Sequence, residues 1–287
     1  MRSLFAIGLS LLWLGCTQQA RPLARGGAAP QLKQSPAELP ARAQPTIHNQ
    51  DKVIHVLVAL CDNEHQGIVP VPAKIGNGDD PAHNLYWGAG FGVKTFFAKS
   101  RTWQLVAQTP GAKSAVLERL VFKHKTKDAW LVADAYRGSE MKQTIRDLLN
   151  FAAGKEGEGV QVKTGAETLT LGIGGNAELL AFVGHNGLMD FTLYDIPQKQ
   201  DDRRREVIIL CCISQRYFAN PLKTTGAHPL LWTTGLMAPE AYVLQAAVEG
   251  WLAGESSAHI KERAALAYNT YQKCGLKGAR NLFATGW

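Results

Sequence analysis

Beyond its N-terminus the sequence contains no apolar run of about 18 residues, which excludes a polytopic helical membrane protein. Charged residues make up only 19 %, and the 31 Lys and Arg form no dense block. A net charge of +7 dispersed in this way describes an ordinary surface and gives no footprint for nucleic acid. Cysteine occurs five times and never as Cys-x-x-Cys, so no thioredoxin-type redox motif is present. There is no internal repeat of useful length. Gly88-Ala89-Gly90-Phe91-Gly92 follows no strand and lacks the third glycine of a dinucleotide loop. Glu64, His65, Asp79, Asp80 and His83 match no compact metal-ligand spacing, so neither a metal nor a cofactor is implied. Against these absences, 46 % hydrophobic residues over 287 positions suffice for a sizeable core and exclude a wholly disordered chain.

Arg2 precedes a short apolar run, Leu4 to Leu14, the pattern of a secretory signal and too short for a folded bilayer span. Its ending, Leu12-Trp13-Leu14-Gly15-Cys16, resembles a bacterial lipobox. That resemblance implies a signal peptide over residues 1–15 and lipidation of Cys16, hence a membrane anchor and an exported, envelope-bound chain; ordinary secretion with cleavage elsewhere is the alternative. Residues 16–50 are rich in Ala, Pro, Gln and Arg without apolar periodicity, a composition expected of a flexible tether.

Regular patterning begins near residue 51 and runs to 287. Val53 to Leu60 is almost continuously apolar, as in a strand buried on both faces. Further strands are expected at Trp103–Ala107, Ala129–Ala133, Glu178–Val183, Glu206–Leu210 and Leu230–Thr233, with a hairpin around Thr168–Ile173. Helices are expected over Asn84–Lys99, Ser139–Ala153, Ala238–Ala253 and His259–Gln272, the second capped by Ser139 with Met141, Ile145, Leu148 and Leu149 on one stripe. Alternating strands and helices with fully apolar strands predict an α/β sandwich with a mostly parallel sheet.

Sites in such sheets form at the carboxyl ends of strands. Asp62 follows the first strand, Gly184-His185-Asn186-Gly187 another, and Cys211-Cys212-Ile213-Ser214 the next. A His and a Cys at one edge can form a nucleophilic pair, because the thiolate is the nucleophile and a neighbouring imidazole takes its proton and returns it to a leaving amine. The Gly187 amide is placed to help hold an oxyanion.

An apolar strand ending in His, followed by one ending in small-Cys-x-Ser, resembles the caspase-like cysteine peptidases (caspases, metacaspases, legumains, gingipains). The resemblance implies a caspase-like three-layer sandwich, with His185 as general base, Cys212 as nucleophile and a peptide or protein as substrate. It further suggests Asp62 as a pocket carboxylate for a basic side chain; a turn-forming loop acid is the alternative. Asn186 stands where the family has Gly, 27 residues separate His185 from Cys212 against about 50 in caspases, and no Gly follows the nucleophile. These departures suit a catalytically inactive binding or scaffolding module as the competing function.

Outside Cys16, Cys61, Cys211, Cys212 and Cys274 are open to several disulfide pairings in an oxidising compartment. A bonded Cys212 would end the peptidase reading. A redox role for adjacent Cys211 and Cys212 would require a strained ring. Arg137 suits a structural pair with a loop carboxylate, a substrate carboxylate being the alternative; Arg203-Arg204-Arg205 suits a solvated loop, a proteolytic processing site being the alternative, and Trp87, Trp232 and Trp251 the core.

Overall fold

The computed structural model describes residues 51–165 and 167–287. The segments read as signal peptide and tether, with Cys16, lie outside the described residues. Lys52–Ala59 forms β1, whose hydrogen-bonded neighbours on both sides are parallel: β4 (Ala129–Tyr136) and β7 (Leu179–Val183). β7 continues parallel to β8 (Glu206–Leu210), and β8 to β9 (His228–Thr233). Antiparallel strands complete both sides, β2 (Trp103–Pro110) and β3 (Val116–His124) beyond β4 and β10 (Phe283–Ala284) beyond β9. The result is an α/β fold with a mixed, mostly parallel eight-stranded sheet in the order β10-β9-β8-β7-β1-β4-β3-β2.

Apolar runs become central strands here because both sheet faces are covered. Along β1, Ile54, Val56 and Val58 enter a core shared with α1 (Val93–Ala98), α4 (Ala241–Leu252), α5 (Ser257–Gln272) and α6 (Leu276–Leu282). The alternate residues Leu57 and Ala59 face α2 (Met141–Ala153) and α3 (Ser214–Thr225). Val53, on that second face, packs under a hairpin of β5 (Gly157–Thr164) and β6 (Glu167–Gly174).

Several expected elements differ. The helix expected over Asn84–Lys99 is confined to α1, and residues before it fold into turns; a Cβ at Gly88 would collide with the Ala82 carbonyl. Ser139 lies in a single 3-10 turn, Gly138–Glu140, and no side chain caps α2; the Met141, Ile145, Leu148 and Leu149 stripe is buried as expected. β4 runs three residues past the expected Ala133, so Asp134 lies inside the sheet. There its carboxylate accepts bonds from Arg119 Nε and Nη2, both at 2.6 Å, and stands 3.0 Å from His55 Nε2. Arg205 is buried rather than solvated: it pairs with both Asp201 oxygens at 2.6 Å and donates to the Gly175 carbonyl at 2.7 Å. Arg137 pairs with Asp79 and donates to the Ser114 carbonyl, a structural pair as expected.

Candidate functional site

Register brings His185 and Cys212 to one place. Val183 of β7 pairs with Leu210 of β8, and each candidate residue lies two positions farther along its own strand direction. Adjacent strands are about 4.8 Å apart, so the two chains leave the sheet side by side. Two bonds hold them together: the Gly184 amide donates to the Leu210 carbonyl at 3.2 Å, and Asn186 Nδ2 donates to the Cys212 carbonyl at 2.6 Å. Asn186, which replaces the expected Gly, therefore ties the histidine loop to the cysteine loop. Its Oδ1 also accepts from the Leu188 amide and starts the one-turn Gly187–Met189 helix.

His185 is 8 % exposed, and its Nε2 lies 2.8 Å from Asp190 Oδ2. An ionised carboxylate only accepts, so this contact sets the proton on Nε2 and leaves the Nδ1 lone pair free. Nδ1 has no partner among the described residues. The same Asp190 oxygen accepts the Gly67 amide at 3.0 Å, which joins the loop after β1 to the histidine loop. Sequence patterning gave no sign of Asp190, a loop residue outside any periodic segment.

Cys212 is half-buried, whereas Cys211 is fully buried and faces the α2–α3 core. Burial pushes the Cys211 thiol well up, which disfavours its thiolate. Burial likewise pushes Cys61 up to about 11, with a hydrogen bond to Tyr86 opposing it. Among the described residues all four cysteines are free thiols. The Met237 main chain meets Cys212 Sγ twice: its amide donates to the sulfur at 3.4 Å, and the thiol donates to its carbonyl at 3.6 Å, a bond that only the protonated form can make.

Ile213, directly after Cys212, has φ 51° and ψ 37°. A β-branched residue in the left-handed region is strained. Four bonds hold the bend: the Ile213 amide reaches the Gly235 carbonyl at 2.8 Å, Ser214 Oγ donates to the Ile209 carbonyl at 2.9 Å, the Ser214 amide reaches Thr233 Oγ1 at 3.1 Å, and the Thr233 amide reaches Ser214 Oγ at 2.8 Å. Ser214, two positions after Cys212, thus closes the turn that presents it.

The Gly187 amide is engaged elsewhere, donating to the His185 carbonyl at 3.1 Å. A Cβ at Gly187 would stand 2.5 Å from Met141 and 2.9 Å from the Phe191 ring, so glycine there serves close packing. The amides of Asn186 and Cys212 have no acceptor among the described residues, which leaves them as open donors on the two loops. Asp62 is 5 % exposed and shapes its own turn: Oδ1 accepts from the amides of Glu64 at 2.8 Å and His65 at 3.2 Å, and Oδ2 lies 2.9 Å from His65 Nδ1. It lines a cavity of about 250 Å³ together with Asn63, Glu64, His65 and Asp79. Among the described residues no group of three or more His, Cys, Asp or Glu is placed to hold a metal ion, and no helix is long and apolar enough to cross a membrane. No protein-family model, curated protein or solved structure matches the chain.

Proposed function

We propose that this chain is a caspase-like cysteine peptidase, carried by a lipid-anchored protein of the cell envelope, with Cys212 as nucleophile and His185 as general base. The observation that carries the reading is the in-register placement of His185 and Cys212 at the carboxyl ends of parallel neighbours β7 and β8, with Nδ1 of the imidazole and the thiol both unbonded to other side chains. In the proposed reaction His185 Nδ1 takes the thiol proton and Sγ attacks the substrate carbonyl carbon. The tetrahedral oxyanion is received by the amides of Asn186 and Cys212, a reassignment from Gly187 that follows from the hydrogen bonding. The C–N bond breaks as His185 gives its proton to the leaving amine; water then hydrolyses the thioester. Asp190 holds the imidazole in one tautomer and offsets its positive charge, as the acid of a triad does. A basic substrate side chain entering the cavity at Asp62 would compete with His65 for Oδ2.

The test uses the full chain with a peptidyl acyloxymethyl ketone panel, site of labelling read by mass spectrometry. Covalent capture at Cys212, abolished in Cys212→Ala and His185→Ala, supports the peptidase. Capture at no cysteine, with Cys212 equally slow in wild type and His185→Ala, favours the scaffold reading, for which Asn186 filling the position of the expected Gly is the structural argument. Lipidation is tested separately by fatty-acid labelling of Cys16→Ser.

A further inference from the structure

The segment after β9, Thr234 to Pro239, reaches the nucleophile without contributing a reactive side chain. Leu236 is 72 % exposed, whereas Met237 is 9 % exposed and aims its amide at Cys212 Sγ. The segment is fastened on both sides of that amide. Upstream, the Thr234 amide donates to the Leu282 carbonyl at 2.9 Å, Thr234 Oγ1 to the Asn281 carbonyl at 2.8 Å, and the Gly235 carbonyl accepts the Ile213 amide at 2.8 Å. Downstream, the Ala238 amide donates to the Tyr268 hydroxyl at 3.1 Å. Tyr268 is itself fixed on α5, its ring edge-on to Phe283 at 5.7 Å and tilted against Tyr242 at 6.4 Å.

An N–H pointed at sulfur favours the thiolate over the thiol, because only the charged form is a strong acceptor. We infer that Tyr268 is a positioning residue for the Cys212 thiolate: its hydroxyl holds the Ala238 amide and thereby keeps the adjacent Met237 amide on Sγ. The inference rests on Cys212 being the reactive group of the site, and it deepens that assignment by adding a donor supplied from the far side of β8. The titratable groups that face the sulfur are the Cys211 thiol, the buried Tyr86 phenol and the Tyr268 phenol itself; Glu240 faces Tyr86 and Tyr268, Cys274 faces Tyr268, and His185 lies on the loop after the neighbouring strand. Burial, opposed by the Ala238 bond, keeps the Tyr268 phenol above its usual range, so the hydroxyl remains a neutral acceptor through the working pH range.

The experiment is alkylation of Cys212 in the full chain by iodoacetamide from pH 5 to 10, followed by mass spectrometry; it needs no peptide substrate, so its failure and failure of the peptidase reading are separate results. Tyr268→Phe is expected to slow Cys212 alkylation at pH 7 about tenfold, the scale of one hydrogen bond to a charged group. It should move the rate-against-pH midpoint upward while leaving the rate at pH 10 near wild type. Tyr242→Phe, whose hydroxyl bonds Glu240 and Gln272 rather than the loop, should leave the midpoint in place. An unmoved midpoint in Tyr268→Phe, or a rate lowered equally at every pH, overturns the inference. If Tyr268→Phe does not fold, Ala238→Pro removes the donor of the same bond and must give the same upward shift; an unmoved midpoint there overturns it equally.

Discussion

His55 and His185 each place Nε2 against an aspartate oxygen, at 3.0 and 2.8 Å. Their surroundings diverge from that point. His55 and Asp134 are each 1 % exposed in the middle of the sheet, the second ring nitrogen of His55 accepts the Gly174 amide at 3.2 Å, and Arg119 takes both Asp134 oxygens. No fully buried side-chain polar atom of that group lacks a partner, as a buried ionic cluster requires. His185 and Asp190 sit where two strands run out, with the Asp190 side chain 31 % exposed and Nδ1 free. One pair is a fastening between β1, β3, β4 and the β5–β6 hairpin; the other retains an unused lone pair on the loop next to the one that carries Cys212. A histidine–carboxylate contact therefore says little about chemistry until the other nitrogen is accounted for.

The sharpest way to break the comparison is to remove one member from each pair. Asp134→Ala leaves Arg119 and His55 buried without their acceptor and should cost about 3–5 kcal/mol of stability, read as a fall in the denaturant midpoint. His185→Ala should instead leave that midpoint within about 1 kcal/mol of wild type while slowing Cys212 alkylation at neutral pH on the order of 100-fold, measured by labelling rate. If stability falls as far as in Asp134→Ala, the two pairs are of one kind and the contrast is gone. Asp190→Asn keeps an acceptor for Nε2 but removes the charge, so a loss of about tenfold in the same rate is expected.

The smallest effect concerns acid. Burial raises the Asp134 carboxyl, but the hydrogen bonds from Arg119 and His55 outweigh it and hold the group below the usual aspartate range. The folded form thus binds this proton less readily than the unfolded chain. Its contribution is complete above about pH 4, near the unfolded value, and is lost only as pH falls through the lower folded value. Asp134→Asn should flatten the acid limb of a stability-against-pH curve, and an unchanged slope would show that Asp134 is not part of that limb.

What the sequence made legible follows from how each residue is used. Val53 to Leu60, Leu179 to Val183 and Val207 to Leu210 are buried on both faces, so burial alone wrote those strands, and the residues just beyond them, His185 and Cys212, were legible with them. β3 escaped because Glu118, Arg119 and Lys123 interrupt Val116–His124; these charges belong to Lys94, Asp134 and Asp51, partners far away in sequence. α3 escaped through Pro221 and its polar surface. Asp190 and the Met237 amide were invisible for a simpler reason: one is a lone acid in an irregular loop, and the other is a main-chain group that any residue except proline would supply.

The bend at Ile213 carries a consequence for anyone engineering this chain. A left-handed non-glycine residue costs about 1–2 kcal/mol, so Gly or Asn at this position would relieve strain and widen the range of directions open to the preceding sulfur. A screen for heat resistance would accept that exchange and a screen for rapid Cys212 alkylation would reject it, and the residue each retains would report which property the bend serves.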